Sequence, residues 1–74
     1  MEPKCYVVMR GEKNEGYHIC GIYQRREDAE SRALREQVLF GDGSFWELDP
    51  YSTPKDTVWR KGVDYISIGA FDLM

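Results

Sequence analysis

Lys4-Cys-Tyr-Val-Val-Met-Arg10, Gly11-Glu-Lys-Asn-Glu-Gly16 and Tyr17-His-Ile-Cys-Gly-Ile-Tyr23 decide how this chain folds. Two runs of β-forming residues flank a polar segment bounded by glycines, which is the pattern of a hairpin. The strands are expected at Cys5–Arg10 and Tyr17–Tyr23. If Arg10 opposes Tyr17, Val8 faces Ile19 and Val7 faces Cys20. One face then carries Cys5, Val7, Met9, His18, Cys20 and Ile22. The other carries Tyr6, Val8, Arg10, Tyr17, Ile19, Gly21 and Tyr23. A slip of one residue would mix these sets, because side chains alternate with period two. Neither face is polar in either register.

Only one segment downstream can cover such a sheet. Arg25–Phe40 contains no Gly or Pro and is dominated by good helix formers. Glu27 and Asp28 fall in its first turn, where the helix dipole favours anions, and Asp28 with Arg32 forms an i, i+4 pair. Gln24 with Glu27 makes a poor capping box. Ala29, Ala33 and Phe40 align on one side, while Leu34 and Val38 are rotated away. Gly41-Asp-Gly43 is expected to stop the helix.

Beyond it, Ser44-Phe-Trp-Glu-Leu-Asp49 alternates and reads as a third strand, and Pro50 and Pro54 bracket an irregular segment. Thr57–Arg60, Lys61-Gly62 and Val63–Ile68 read as a tight closing hairpin or a bent final strand, and Gly69–Met74 as a tail anchored by Phe71. The expected fold is therefore a single α+β domain over residues 1–74. It is an antiparallel sheet of three to five strands with one helix on one face, in the order β-β-α-β-β.

The chain has 74 residues, 42% hydrophobic and 14% aromatic, which is enough for a folded domain. A core this small supplies about 3–5 kcal/mol unaided, and such domains lean on disulfides, metals or association. The net charge of −3 gives no global attraction to nucleic acid or anionic membranes. No run of about 18 apolar residues is present, and no apolar stretch follows a basic N-terminus, so no membrane partner is expected. Two cysteines without a secretory context fit a cytoplasmic location with free thiols.

The Tyr6-Val-Val8 opening, Gly21-Ile22-Tyr23, Glu27-Asp28-Ala29-Glu30, Trp46-Glu47-Leu48-Asp49 and Trp59-Arg60-Lys61-Gly62-Val63 form a recognisable series. Across residues 5–66 the chain resembles a group of short prokaryotic and phage proteins. These have a hairpin, a helix and closing strands that end in Trp-x-x-Gly-apolar. The chain departs from the group in lacking a Ser or Thr helix cap and in carrying the Pro50–Pro54 segment. The resemblance implies no activity. It implies a phage or mobile-element origin and a binding role, which for short phage proteins is often the blocking of a host protein.

The residues offer little chemistry. Cys5, His18 and Cys20 share a face in the register above and are zinc-like donors, but no fourth ligand or CxxC spacing accompanies them. Packed thiols account for them better than a metal, a Cys5–Cys20 disulfide or a Cys–His nucleophile. Glu47 and Asp49, with Asp64, are paired carboxylates whose ordinary role is a solvated strand face. No catalytic residue, metal or cofactor is expected.

The aromatic surplus is more telling. Tyr and Trp offer rigid contact area with a polar handle and are enriched at interfaces. Tyr6, Tyr17, Tyr23, Trp46 and Trp59 are the expected contact residues, with Arg25 and Arg26 on the helix flank. The expected function is a small non-enzymatic binding protein that acts by protein–protein contact, as a homodimer. The alternative is a module for single-stranded nucleic acid or nucleotides, with tyrosines stacking bases beside helix arginines. Interleaved Glu27, Asp28, Glu30 and Glu36 and the missing basic footprint weigh against it.

Overall fold

A computed structural model describes residues 4–12, 15–40 and 45–72. The elements are β1 (Lys4–Glu12), β2 (Gly16–Tyr23), α1 (Arg26–Phe40), β3 (Glu47–Leu48), β4 (Asp56–Lys61) and β5 (Asp64–Asp72). The strands form one antiparallel sheet in the order β2-β1-β5-β4-β3. The helix lies on one face, over β1, β2 and β5. The α+β architecture with a single helix roof is as the sequence indicates. The Gly41–Gly43 helix stop, Ser44 and the last two residues lie outside the described residues.

The helix approaches closely because its inward stripe is small. Ala29 and Ala33 are fully buried against Val8, Ile66 and Ile68, and Trp46 closes one end of this cluster. Glu36 lies on the same stripe, one turn beyond Ala33, and is also buried. Leu34 and Val38 face away and are exposed, as the helical spacing indicates. No basic side chain occupies the last turn, but β1 supplies one. The Arg10 guanidinium stacks 3.8 Å from the centre of the Phe40 ring, placing a cation at the end of the helix where the dipole favours it.

Two glycines make the hairpins possible. Gly16 and Gly62 adopt φ of +86° and +62°, and Gly62 opens the two-residue turn between β4 and β5.

Three expectations are corrected. First, the hairpin register differs. Tyr6 opposes Tyr23, Val7 opposes Ile22 and Val8 opposes Gly21, after which the pairing shifts to Met9–Ile19, Arg10–His18 and Gly11–Tyr17. Cys20 is the extra residue of a β-bulge, so side chains on the two sides of it change face relative to a regular strand. Second, Gly69–Asp72 is no tail. β5 runs on to Asp72 because β1 pairs with it along its whole length, from Lys4–Asp72 to Glu12–Asp64. Third, the third strand shrinks to Glu47–Leu48.

Candidate protein-contact site

Alternation along the paired strands divides the sheet into a roofed face and an open one. Tyr6, Val8 and Arg10 of β1, Ile66 and Ile68 of β5, and Thr57 and Trp59 of β4 stand in register on the roofed face. The open face takes Cys5, Val7 and Met9 from β1, Tyr17, Ile19 and Ile22 from β2, Tyr65 and Phe71 from β5, and Val58 from β4. Its large side chains reach solvent. Tyr17 is 61% exposed, Ile19 57%, Ile22 63% and Phe71 52%. Toward β3 the surface turns polar, with Asp56, Arg60 and Glu47.

Two positions of this face carry no side chain, Gly11 near the end of β1 and Gly69 in β5. A Cβ on Gly69 would meet the Phe71 ring at 3.0 Å, and one on Gly11 would meet the Tyr65 hydroxyl at 2.9 Å. The Phe71 ring thus lies over the Gly69 backbone, and the Tyr65 hydroxyl reaches over Gly11. A shallow hollow of about 210 Å³ beside them is lined by Asp56, Val58, Arg60, Tyr65 and Ser67.

No other part of the described chain covers the open face. The Pro50–Pro54 segment is hydrogen-bonded along β4: Asp49 N donates to Val58 O at 2.8 Å, Val58 N to Ser52 Oγ at 3.0 Å, and Thr53 N to Asp56 O at 3.0 Å. It shares a hollow with Tyr6, Arg26 and Thr57, which places it on the roofed side. Phe71, expected to anchor a returning tail, is a strand residue of the open face itself.

The expected contact residues are split up by the bulge. Tyr6 and Tyr23 oppose each other and pack, half-buried, against the core beneath the helix. Tyr17 stands on the other face and is exposed. No shared tyrosine platform exists, which corrects the expectation that all three lie on one face. Trp46 is buried, with its indole N–H donating to Gln37 O at 3.0 Å, and Trp59 is half-buried. Both border a groove of about 620 Å³ between the helix and β3, whose other walls include Leu34, Val38, Phe45 and Leu48.

Arg26 is engaged within the chain. Its guanidinium donates to Glu30 Oε1, Pro54 O and Thr57 Oγ1, each at 2.9 Å. Arg25 is exposed. The residues that sequence reasoning left out of the contact set are Ile19, Ile22 and Phe71. The signal for the first two was Gly21, since a glycine inside a strand pattern often marks a bulge.

The chemical candidates are dispersed too. Cys5 lies on the open face, and Cys20 turns to the helix, so the two thiols are not cross-strand neighbours. Burial, and then Glu36, push the Cys20 thiol above its ordinary range. Among the described residues no group of three or more metal-ligating side chains converges. Asp49 accepts from Arg60 Nε at 2.6 Å and from Tyr51 N at 2.8 Å, and these bonds, the Arg60 one first, hold its carboxyl below the usual range. Such a carboxylate is tied into a turn and poorly suited to take up a proton. No helix among the described residues is long and apolar enough to cross a membrane.

No family model, no curated protein and no solved structure matches the chain.

Proposed function

We propose that this chain is a small non-enzymatic binding protein that acts by protein–protein contact through the open face of its sheet, and that it does so as a homodimer. One observation carries the reading: a single helix roofs one side, while Tyr17, Ile19, Ile22 and Phe71 stand in solvent on the other. Contiguous apolar surface of this kind marks interaction sites.

The size of the face suits the role. Four long strands at about 4.8 Å spacing and about 3.3 Å per residue give a surface of roughly 19 by 30 Å. That is a footprint on the order of 600 Å² before side-chain relief, against about 800 Å² per partner in a standard interface. The Asp56, Arg60 and Glu47 edge supplies the polar rim that such interfaces have.

The nucleic-acid reading loses its support. Two of the three tyrosines pack under the helix, Arg26 is bonded within the chain, and Arg10 stacks on Phe40.

The test pairs native mass with partner capture. In the variant Ile19→Ser with Ile22→Ser, the circular dichroism spectrum should be retained while partner capture is lost. Capture undiminished in that variant would overturn the role of the face, and a monomeric mass at millimolar protein would overturn the homodimer.

A further inference from the structure

The sheet ends on two very different edges. On one side β3 is two residues long, with Pro50 two residues beyond its end. On the other, β2 presents eight residues, Gly16–Tyr23, to whose outer edge nothing among the described residues is hydrogen-bonded. Proteins usually blunt such an edge with Lys, Pro or inward-pointing charge. β2 has none of these: Gly-Tyr-His-Ile-Cys-Gly-Ile-Tyr contains no Lys, Arg, Asp, Glu or Pro. Every other strand carries charge: Lys4, Arg10 and Glu12 in β1, Glu47 in β3, Asp56, Arg60 and Lys61 in β4, and Asp64 and Asp72 in β5. The bulge at Cys20 adds twist to the edge, but Gly16–Ile19 before it pairs regularly with β1.

We propose that two copies of the chain join by antiparallel pairing of their β2 strands across a two-fold axis, giving one continuous ten-stranded sheet. A second copy is the occupant this edge fits best. A two-fold axis sets each strand against its own sequence, so any strand that carries charge is liable to place like charges close together. β2 alone carries no permanent charge. The pairing also satisfies backbone groups along the edge and brings Tyr17, Ile19 and Ile22 of one copy beside those of the other. The two open faces then merge into one broad surface that remains free for a different protein. The inference rests on the homodimer half of the functional reading and leaves the contact role of the open face independent of it.

Hydrogen–deuterium exchange read alongside native mass over a range of protein concentrations tests it. The expected result is a dimer in which amides of Gly16–Tyr23 gain protection as concentration rises, while those of β4 do not change. His18 is exposed and opposes Arg10, away from the open face. His18→Lys adds a guarding charge to the edge and should weaken dimerisation about tenfold, whereas Phe71→Ser on β5 should leave it within about twofold. A dimer that forms without protection of β2, or that Phe71→Ser dissociates and His18→Lys does not, overturns edge pairing while sparing the homodimer. A strictly monomeric protein overturns both.

Discussion

Arg60 Nε lies 2.6 Å from Asp49 Oδ2, joining the end of β3 to β4 across a turn whose other anchor is the Tyr51 amide on Asp49 Oδ1. Because the folded chain holds the Asp49 pKa below its ordinary 3.8, the bond contributes stability above that pH and loses it as pH falls through the folded value. Arg60→Gln should move the Asp49 titration midpoint back up toward 3.8, read by NMR of the side-chain carboxyl. Cys20 responds in the opposite direction. Burial and Glu36 raise its thiol above 9.0, so the folded state favours the protonated form. Its contribution is complete below pH 9.0 and is lost as pH rises toward the folded value. Glu36→Gln removes the second cause and leaves the first. Reaction of Cys20 with a disulfide reagent at pH 8 should therefore quicken severalfold in that variant while remaining slower than that of a free thiol. An unchanged rate would show that burial alone protects the sulfur.

At the scale of elements, the helix is held to the sheet by two unlike means. Along its length, small alanines allow contact with Val8, Ile66 and Ile68, and at its start Arg26 clamps the loop before β4 through Pro54 O and Thr57 Oγ1. Ala33→Leu forces added volume into a fully buried position and should cost about 1–3 kcal/mol. Arg26→Ala loses charge-assisted bonds that are about a third exposed, and should cost about 1–2 kcal/mol in urea unfolding. Arg25→Ala, at an exposed position, should stay within about 0.5 kcal/mol. Equal effects at the two arginines would deny Arg26 its clamping role. The helix was legible because its run is free of Gly and Pro and rich in helix formers, and the first hairpin because glycines bound its polar loop; the segment around Gly62 read equally as a hairpin or a bent strand. What escaped was set at longer range. Gly69-Ala70 has poor strand propensity, yet it pairs because β1 extends past it. The Ser44–Asp49 alternation suggested a full strand, but of its described residues only Glu47 and Leu48 pair as strand with β4, and Asp49 adds a single bond to Val58 O. The tyrosine set failed at Cys20, where one inserted residue moved Tyr17 and Ile19 to the face opposite Tyr6 and Tyr23.

At the scale of the whole molecule, a sheet with one roof is a folded monomer whose burial is incomplete. Among the described residues the fully buried hydrophobic core comprises Val8, Ala29, Ala33, Ile66 and Ile68, two of them alanines, and alanine contributes little to transfer free energy from water. A domain of this size with so small an interior would gain from pairing its free β2 edge with that of a second copy. Association of that kind couples stability to protein concentration, since only the folded chain presents the paired edge and the ordered face. Each tenfold rise in concentration should then add about 1.4 kcal/mol per dimer. For a domain of this length that raises the thermal midpoint by a few degrees, at roughly 4–8 °C for each kcal/mol. Calorimetric scans from 10 μM to 1 mM in order-of-magnitude steps read this directly. A midpoint that climbs at each step, and lies lower at every concentration in His18→Lys, places the dependence on the β2 edge. A midpoint fixed across the range would mean that the molecule reaches its full stability alone, with the β2 edge unpaired.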